Sequence, residues 1–433
     1  MKRAFAWVWL SQLLSLSGSV LTAFAVGVWV FRQTGSVLAY SLLVACVAVP
    51  ALVIAPWAGV WVDRLQRRRV MVAADTGAAL CTAAIGLLLW FGRLEVWQTL
   101  LLNAAAAVCQ AFQRPAFLAA VTTLLPKRDL GRASGLVQLA YAVPSLTAPL
   151  MAAFLLGTIG LEGIVALNMV CFAIATSILL AVPFPHAPHA PHAPHAPQRP
   201  GAHRAALAEF GDALAYLRQR RPLALLLGYV GVQRFLTCIV VVLFTPIVLA
   251  IYSESVLGIV FTFGGVGMIA GAALLSGWGG PRRRIFGILP FDMLFGAAVL
   301  AGGIWTSVPL LCACAFIVMF CGPFITGSDQ TLWQHKVPPM LQGRLFALRE
   351  VLVSGALPLA AIAGGLAAER GFEPWMMPGG WLADSAGSWM GVGKGRGVGL
   401  MFVLVGVFAI ALAGAALSLP AMRGLDDRVP DAH

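Results

Sequence analysis

Apolar stretches of twenty residues or more recur along almost the whole chain, parted by short segments where arginine, proline and glycine collect. At 1.5 Å per residue, about twenty apolar residues cross the hydrocarbon of a bilayer as a helix. A transmembrane β-barrel would instead show segments of about ten residues with alternating polarity, and that alternation is absent. The pattern predicts twelve membrane-spanning helices, over 5–31, 37–62, 70–92, 97–125, 134–157, 161–184, 222–250, 256–279, 285–305, 307–327, 345–368 and 397–421. The fold class is therefore all-α integral membrane.

Composition narrows the picture further. Of 433 residues, 60% are hydrophobic and 11% charged, less than half the charge a soluble domain carries to cover its core. All eight cysteines lie inside apolar runs, none in a Cys-x-x-Cys pair, so neither disulfides nor a structural metal are expected. The first apolar run follows MKR without a small-residue cleavage site and reads as a retained first span. The formal charge of +12 is a matter of placement. With both termini in the cytoplasm, 21 of the 29 Lys and Arg fall in inside segments and five in outside loops, leaving Arg114, Arg234 and Arg349 within spans. Positive residues stay inside, so the charge reports topology in the cytoplasmic (inner) membrane and gives no reason to invoke nucleic acid.

The longest inside segment divides the spans six and six. It sets a first bundle at 1–184, a linker at 185–221 and a second bundle with a short cytoplasmic tail at 222–433. The linker opens PHAPHAPHAPHAP, which favours an extended polyproline rod. Its four histidines, at every third position, are read as part of a spacer rather than a metal-capture site. Beyond it Leu207, Phe210, Leu214 and Leu217 share one helical face, as on a helix lying flat on a membrane surface. The halves also echo each other. Arg67–Arg69 return as Arg282–Arg284 after 215 positions, and the Gly-Arg pairs ending in Arg132 and Arg344 are 212 apart. Repeats of this kind suit a transporter that rocks one half against the other about a midplane site.

GVWVDRLQRRRV, from Gly59 through Asp63 and Arg64 to Val70, resembles the signature loop of the major facilitator superfamily and lies where that family has it, between the second and third spans. Gln66 stands where the family pattern commonly has Gly. The resemblance covers the whole chain and implies two pseudo-symmetric six-helix bundles. RRRVMVAAD, PKRDLGRASG and GGPRRR further resemble the efflux branch that includes macrolide exporters and the enterobactin siderophore exporter. Physically, an acid near the start of an opposing helix meets its free N–H groups and positive dipole end. Gly59, Asp63, Arg64, Arg67, Arg68, Arg132 and Arg344 are accordingly expected to form a cytoplasmic gate. In span five, APLMAA resembles the antiporter motif with alanine for each glycine, and Pro149 is expected to bend the helix.

By the same resemblance, spans one, four, seven and ten line a cavity, which points to Gln110, Gln113 and Arg114 on span four and Gln233 and Arg234 on span seven. Arginine near the midplane is costly unless it meets water, a carboxylate or a ligand. Either the two arginines bind an anionic substrate or local acids neutralise them. Four acids lie in or near the spans' cytoplasmic halves: Asp75, Asp292, Asp329 and Glu350. Asp75 and Glu350 are the proton-coupling candidates, with structural pairing to the nearby arginine cluster, or to Arg349 and Arg114, as the alternative. GVGKGRG (391–397) lacks the Ser or Thr of a phosphate loop and reads as a flexible lead-in to span twelve. Trp375, Trp381 and Trp389 nearby read as interface anchors, and His335 as a lone loop residue. No catalytic constellation appears, so an enzyme is not expected. The expected function is export of a small amphiphilic molecule, a drug, macrolide, siderophore or other secondary metabolite, by alternating access in antiport with protons, with no bound cofactor or metal and no need of an oligomer. The alternatives are import of a small anionic metabolite and a non-transporting scaffold.

Overall fold

The computed structural model describes residues 3–125, 130–182, 216–217, 219–305 and 307–428. The His-Ala-Pro repeat and Leu207, Phe210 and Leu214 of the expected surface helix lie outside them. Among the described residues there is no strand, and twelve helices are long and apolar enough to cross a membrane.

They run α1 (Arg3–Thr34), α2 (Val37–Arg64), α3 (Arg67–Trp90), α4a (Val96–Ala111), α4b (Gln113–Leu124), α5 (Leu130–Thr158) and α6 (Gly160–Ala181). The second set is α7 (Arg221–Ile251), α8 (Glu254–Trp278), α9 (Leu289–Ile304), α10 (Val308–Lys336), α11 (Pro339–Ala367) and α12 (Arg396–Ser418). The chain divides into two units, one built on α1–α6 and one on α7–α12, with residues 252–258 grouping with the first.

Each unit repeats the same internal pairing. In the first, α1 packs on α5 and α6, and α3 on α4 and α6; in the second, α7 packs on α11 and α12, and α9 on α10 and α12. Lipid is as apolar as leucine, so close van der Waals approach holds such helices together. The crossing of α9 and α12 shows this directly. A Cβ placed on Gly303 would stand 2.5 Å from the carbonyl oxygen of Gly399, and one on Gly296 would stand 2.9 Å from that of Gly406. Each helix spaces its two glycines seven residues apart, so two contacts form along one antiparallel seam. In α5, Ala148 and Ala152 of the alanine-substituted motif are buried against Leu21, Ala25 and Val26 of α1. The helix runs on through Pro144 and Pro149.

At the arginine-bearing end, each unit closes over a packed apolar core. The first gathers Phe5, Met71, Phe117, Leu124 and Leu179. The second gathers Leu223, Ile285, Leu289, Trp333 and Val337, and the short helices Pro420–Arg423 and Leu425–Arg428 seat Met422 and Leu425 in it. Lys336 Nζ donates to the Asp426 carbonyl at 2.6 Å, and the Asp426 carboxylate accepts from Ile285 N at 3.2 Å.

Three expectations are corrected here. Span ten does not end at residue 327: α10 continues to Lys336, because Asp329, Trp333 and Lys336 each find a partner in the bundle, and His335 sits on this helix. Span four is interrupted at Phe112, where α4a gives way to α4b. The segment before α12 is built rather than flexible. Gly391, Gly393 and Gly395 take positive φ, Gly393 N donates to the Met376 carbonyl at 2.9 Å, and Met376 and Met390 pack under Leu400 and Val403. Glu373 accepts from Gly395 N and Val398 N, each at 3.1 Å, which caps the start of α12. Trp375 and Trp381 meet edge to face in this segment.

Candidate functional site

Asp75 lies eight residues beyond Arg67, the first residue of α3, or roughly 12 Å along the helix axis. It is buried, with 3% of its surface exposed. Oδ1 accepts from Ser15 Oγ of α1 at 2.7 Å and from Gln113 Nε2 of α4b at 3.0 Å. Oδ2 has no partner among the described residues, and neither has the amide oxygen of Gln113. Gln12, one turn before Ser15 on α1, is fully buried, and neither of its amide atoms has a partner among the described residues. A sequence of apolar spans thus buries one acid among neutral polar groups, and no cation among the described residues pairs with it. Asp is disfavoured at a bilayer's centre by about 3 kcal/mol even on insertion scales, so such a residue is not there for stability.

The second unit contains a counterpart. Asp292 of α9 is 2% exposed. Its Oδ2 accepts from Tyr229 Oη at 2.6 Å and its Oδ1 from Gln233 Nε2 at 3.0 Å, both donors on α7. The amide oxygen of Gln233 has no partner among the described residues. One turn-layer away Asp329 of α10 takes Arg349 of α11, through Nε at 3.1 Å and through Nη2, together with Trp333 Nε1 at 3.0 Å. Arg349 therefore serves Asp329, not Asp75 or Glu350.

The other expected site residues fall out as follows. Gln113 and Gln233, expected to face a substrate, place their amide nitrogens on carboxylates within their own bundles. Gln110 is half-buried. Arg114 and Arg234 are exposed and have no carboxylate partner among the described residues; the Arg114 guanidinium stands 5.4 Å from the centre of the Tyr141 ring. Glu350 is exposed and accepts from Ser354 Oγ of the same helix at 2.6 Å. Of the expected gate, the side chains of Gly59, Asp63, Arg64, Arg132 and Arg344 lie outside the described residues, although the helix α2 runs through Asp63 to Arg64. Arg68 donates to the Leu180 carbonyl, and Arg67 keeps one buried guanidinium nitrogen unpartnered. Arg67–Arg69 occupy the first turn of α3, where the helix dipole disfavours positive charge. Their placement answers to something other than helix stability. Beside them an open groove of about 700 Å³ runs along the outside of α3, lined by Arg68, Arg69, Val72, Thr76 and Leu80.

Comparison with known proteins agrees with this architecture. The family model described as Major Facilitator Superfamily matches residues 8–361. The chain belongs to the Major Facilitator Superfamily. Macrolide efflux protein A of Streptococcus pyogenes is 26% identical over 387 residues, covering 88% of this chain and 93% of that one. Macrolide efflux protein A of Enterococcus faecalis is 26% identical over 316 residues, covering 72% and 95%. Among solved structures, a bacterial homolog of the human lysosomal transporter Spinster, inward-facing and unoccupied, aligns over 98% of each chain with a TM-score of 0.71 at 16% identity. A bacterial homologue of the iron transporter ferroportin, inward-facing, aligns over 98% of this chain and 99% of that one with a TM-score of 0.64, also at 16% identity. These structures share the fold. The protein is thus a multi-pass membrane transporter of this superfamily, not an enzyme.

Sequence reasoning named Asp292 among four acids but did not select it, and passed over Ser15, Gln12 and Tyr229. A signal was available. Asp75 and Asp292 are 217 positions apart, and so are Gln12 and Tyr229.

Proposed function

We propose that this transporter exports a small amphiphilic molecule of the macrolide or secondary-metabolite kind from the cytoplasm in exchange for protons. The observation that carries the reading is the similarity to macrolide efflux protein A, which extends over 88% of the chain and so includes both bundles. The proton side of the reading is supported by Asp75, a buried acid with one unpartnered carboxylate oxygen. A carboxyl group in such a place changes protonation as its access to water changes, and so ties proton movement to the alternation between inward- and outward-facing states. Asp63, with Arg64, Arg67, Arg68, Arg132 and Arg344, acts as the gate on the cytoplasmic face, and both termini lie on that face of the inner membrane.

The test is accumulation of a radiolabelled macrolide in an efflux-deficient bacterial host. Cells expressing the protein should hold several-fold less label than empty-vector cells, and a protonophore should erase the difference. Equal accumulation across a panel of macrolides would remove the macrolide class from the reading. A second reading, a carrier of anionic metabolites, is favoured by one observation: Arg114 and Arg234 are exposed without a carboxylate partner among the described residues. Transport of an acidic compound and of its neutral ester distinguishes them. Under this second reading, Arg234→Ala abolishes transport of the acid and spares the ester.

A further inference from the structure

The three buried acids differ in the chemistry of their partners. Asp329 is held by Arg349 and by the Trp333 indole N–H, groups that only donate hydrogen bonds. That environment suits a permanent carboxylate. Asp292 is held by a phenol hydroxyl and a primary amide. A hydroxyl donates to a carboxylate or accepts from a carboxylic acid as it rotates, and an amide does the same by turning over its oxygen and nitrogen. An acceptor for the protonated form is at hand once the amide turns, since the Gln233 amide oxygen is buried and has no partner among the described residues to lose. Asp75 has the same kind of company, the Ser15 hydroxyl and the Gln113 amide with its oxygen unpartnered.

We infer that Asp292 is a second proton-binding carboxyl, the repeat-related twin of Asp75, so that each bundle carries its own proton site on its third span. The counterpart positions support this. Asp75 and Asp292 are 217 positions apart, as are Gln12 and Tyr229 on the first span of each bundle. The charged and titratable groups around it, among the described residues, leave it without a cation. From α7 it meets Tyr229. From α10 it feels Asp329 and Cys321, and from α11 comes Arg349, already bound to Asp329. The face of α12 on α9 is Gly399, Phe402, Gly406 and Ala409. On its own strand of chain, Arg284 donates to the Gly279 carbonyl at 2.8 Å. Lys336 is occupied by Asp426. With Arg349 and Asp329 cancelling, an ionised Asp292 would be a net buried negative charge; one proton removes it, and both neighbours can stay hydrogen-bonded.

The inference deepens the proton-exchange reading, and its test does not depend on transport. The full-length protein in lipid bilayers is titrated while the infrared carbonyl stretch of protonated carboxyl groups is recorded. The wild type should show a titrating band with two components. Asp292→Asn should delete one and Asp75→Asn the other. Tyr229→Phe should keep the Asp292 component but move it to higher frequency, because the carbonyl loses a hydrogen-bond donor; a merely structural role for Asp292 gives no such shift. An Asp292→Asn spectrum identical to the wild type at every pH would overturn the inference. If the Asp292 component titrates but wild-type flux ignores a pH gradient, the proton site stands and the proton-exchange reading falls.

Discussion

Substituting Asp329 by alanine tests the internal electrostatics most sharply. Arg349 keeps 20% of its side-chain surface exposed and Asp329 5%, so the pair is largely shielded from water. Removing one partner of a buried pair typically costs 3–5 kcal/mol, because the remaining charge is left without compensation. Asp329→Ala also strands the Trp333 indole N–H, inside the fully buried core of the second unit, and a stranded donor adds about 1–3 kcal/mol. A guanidinium cannot shed its proton, so this cost persists across pH. Arg349→Ala leaves a carboxyl that can take up a proton and keep its indole donor. It should cost less than Asp329→Ala, and less still as the pH is lowered. Replacing both, Asp329→Leu with Arg349→Met, removes the charges together and should recover most of the loss. The assay is unfolding of the purified protein in mixed micelles, followed by circular dichroism at two pH values. Equal destabilisation by the two single alanine variants, or a double variant worse than Asp329→Ala, would refute the reasoning.

Other outcomes follow from the same geometry. Gly303→Ala should destabilise by about 1–3 kcal/mol, as overpacking does, because its methyl meets backbone atoms of α12. Gly228→Ala, with nothing within 4 Å of the new methyl, should be neutral; the same melt reads both. Glu373→Ala should cost about 1 kcal/mol, the usual loss of a helix cap, and should raise amide hydrogen exchange at residues 395–398 while sparing the middle of α12. In the accumulation assay, Asp63→Asn should abolish efflux without lowering the unfolding temperature, as a gate residue would.

The fold was legible because the bilayer imposes it. Backbone groups in lipid are satisfied only within helices or closed barrels, so length and hydropathy alone placed twelve spans, and the long central segment with the repeated arginine clusters supplied their grouping. Boundaries were less legible where polar residues find partners inside the bundle. Asp329, Trp333 and Lys336 look like loop residues to a hydropathy count, yet an ion pair, an indole donor and the Asp426 carbonyl carry α10 on to Lys336. The break at Phe112 did have a signal, Pro115, which cannot bond the Ala111 carbonyl four residues back, but a hydropathy count reads straight through it. At the site, Asp75 stood out as an acid in an apolar run, but its partners did not, because Ser15 and Gln113 come from spans 60 and 38 positions away. Glu350 looked equivalent on the chain, yet its side chain falls on the exposed face of α11. The glycines at 391–395 suggested looseness, whereas their positive φ values serve a tightly hydrogen-bonded turn.

Proton exchange is the claim on which the functional account turns, and it is measured most directly in proteoliposomes carrying a pH-sensitive dye and a labelled macrolide. Imposing a pH gradient should drive the macrolide uphill against the flow of protons, and adding macrolide without a gradient should move protons the opposite way. Macrolide flux that is indifferent to the gradient and moves no protons would contradict it.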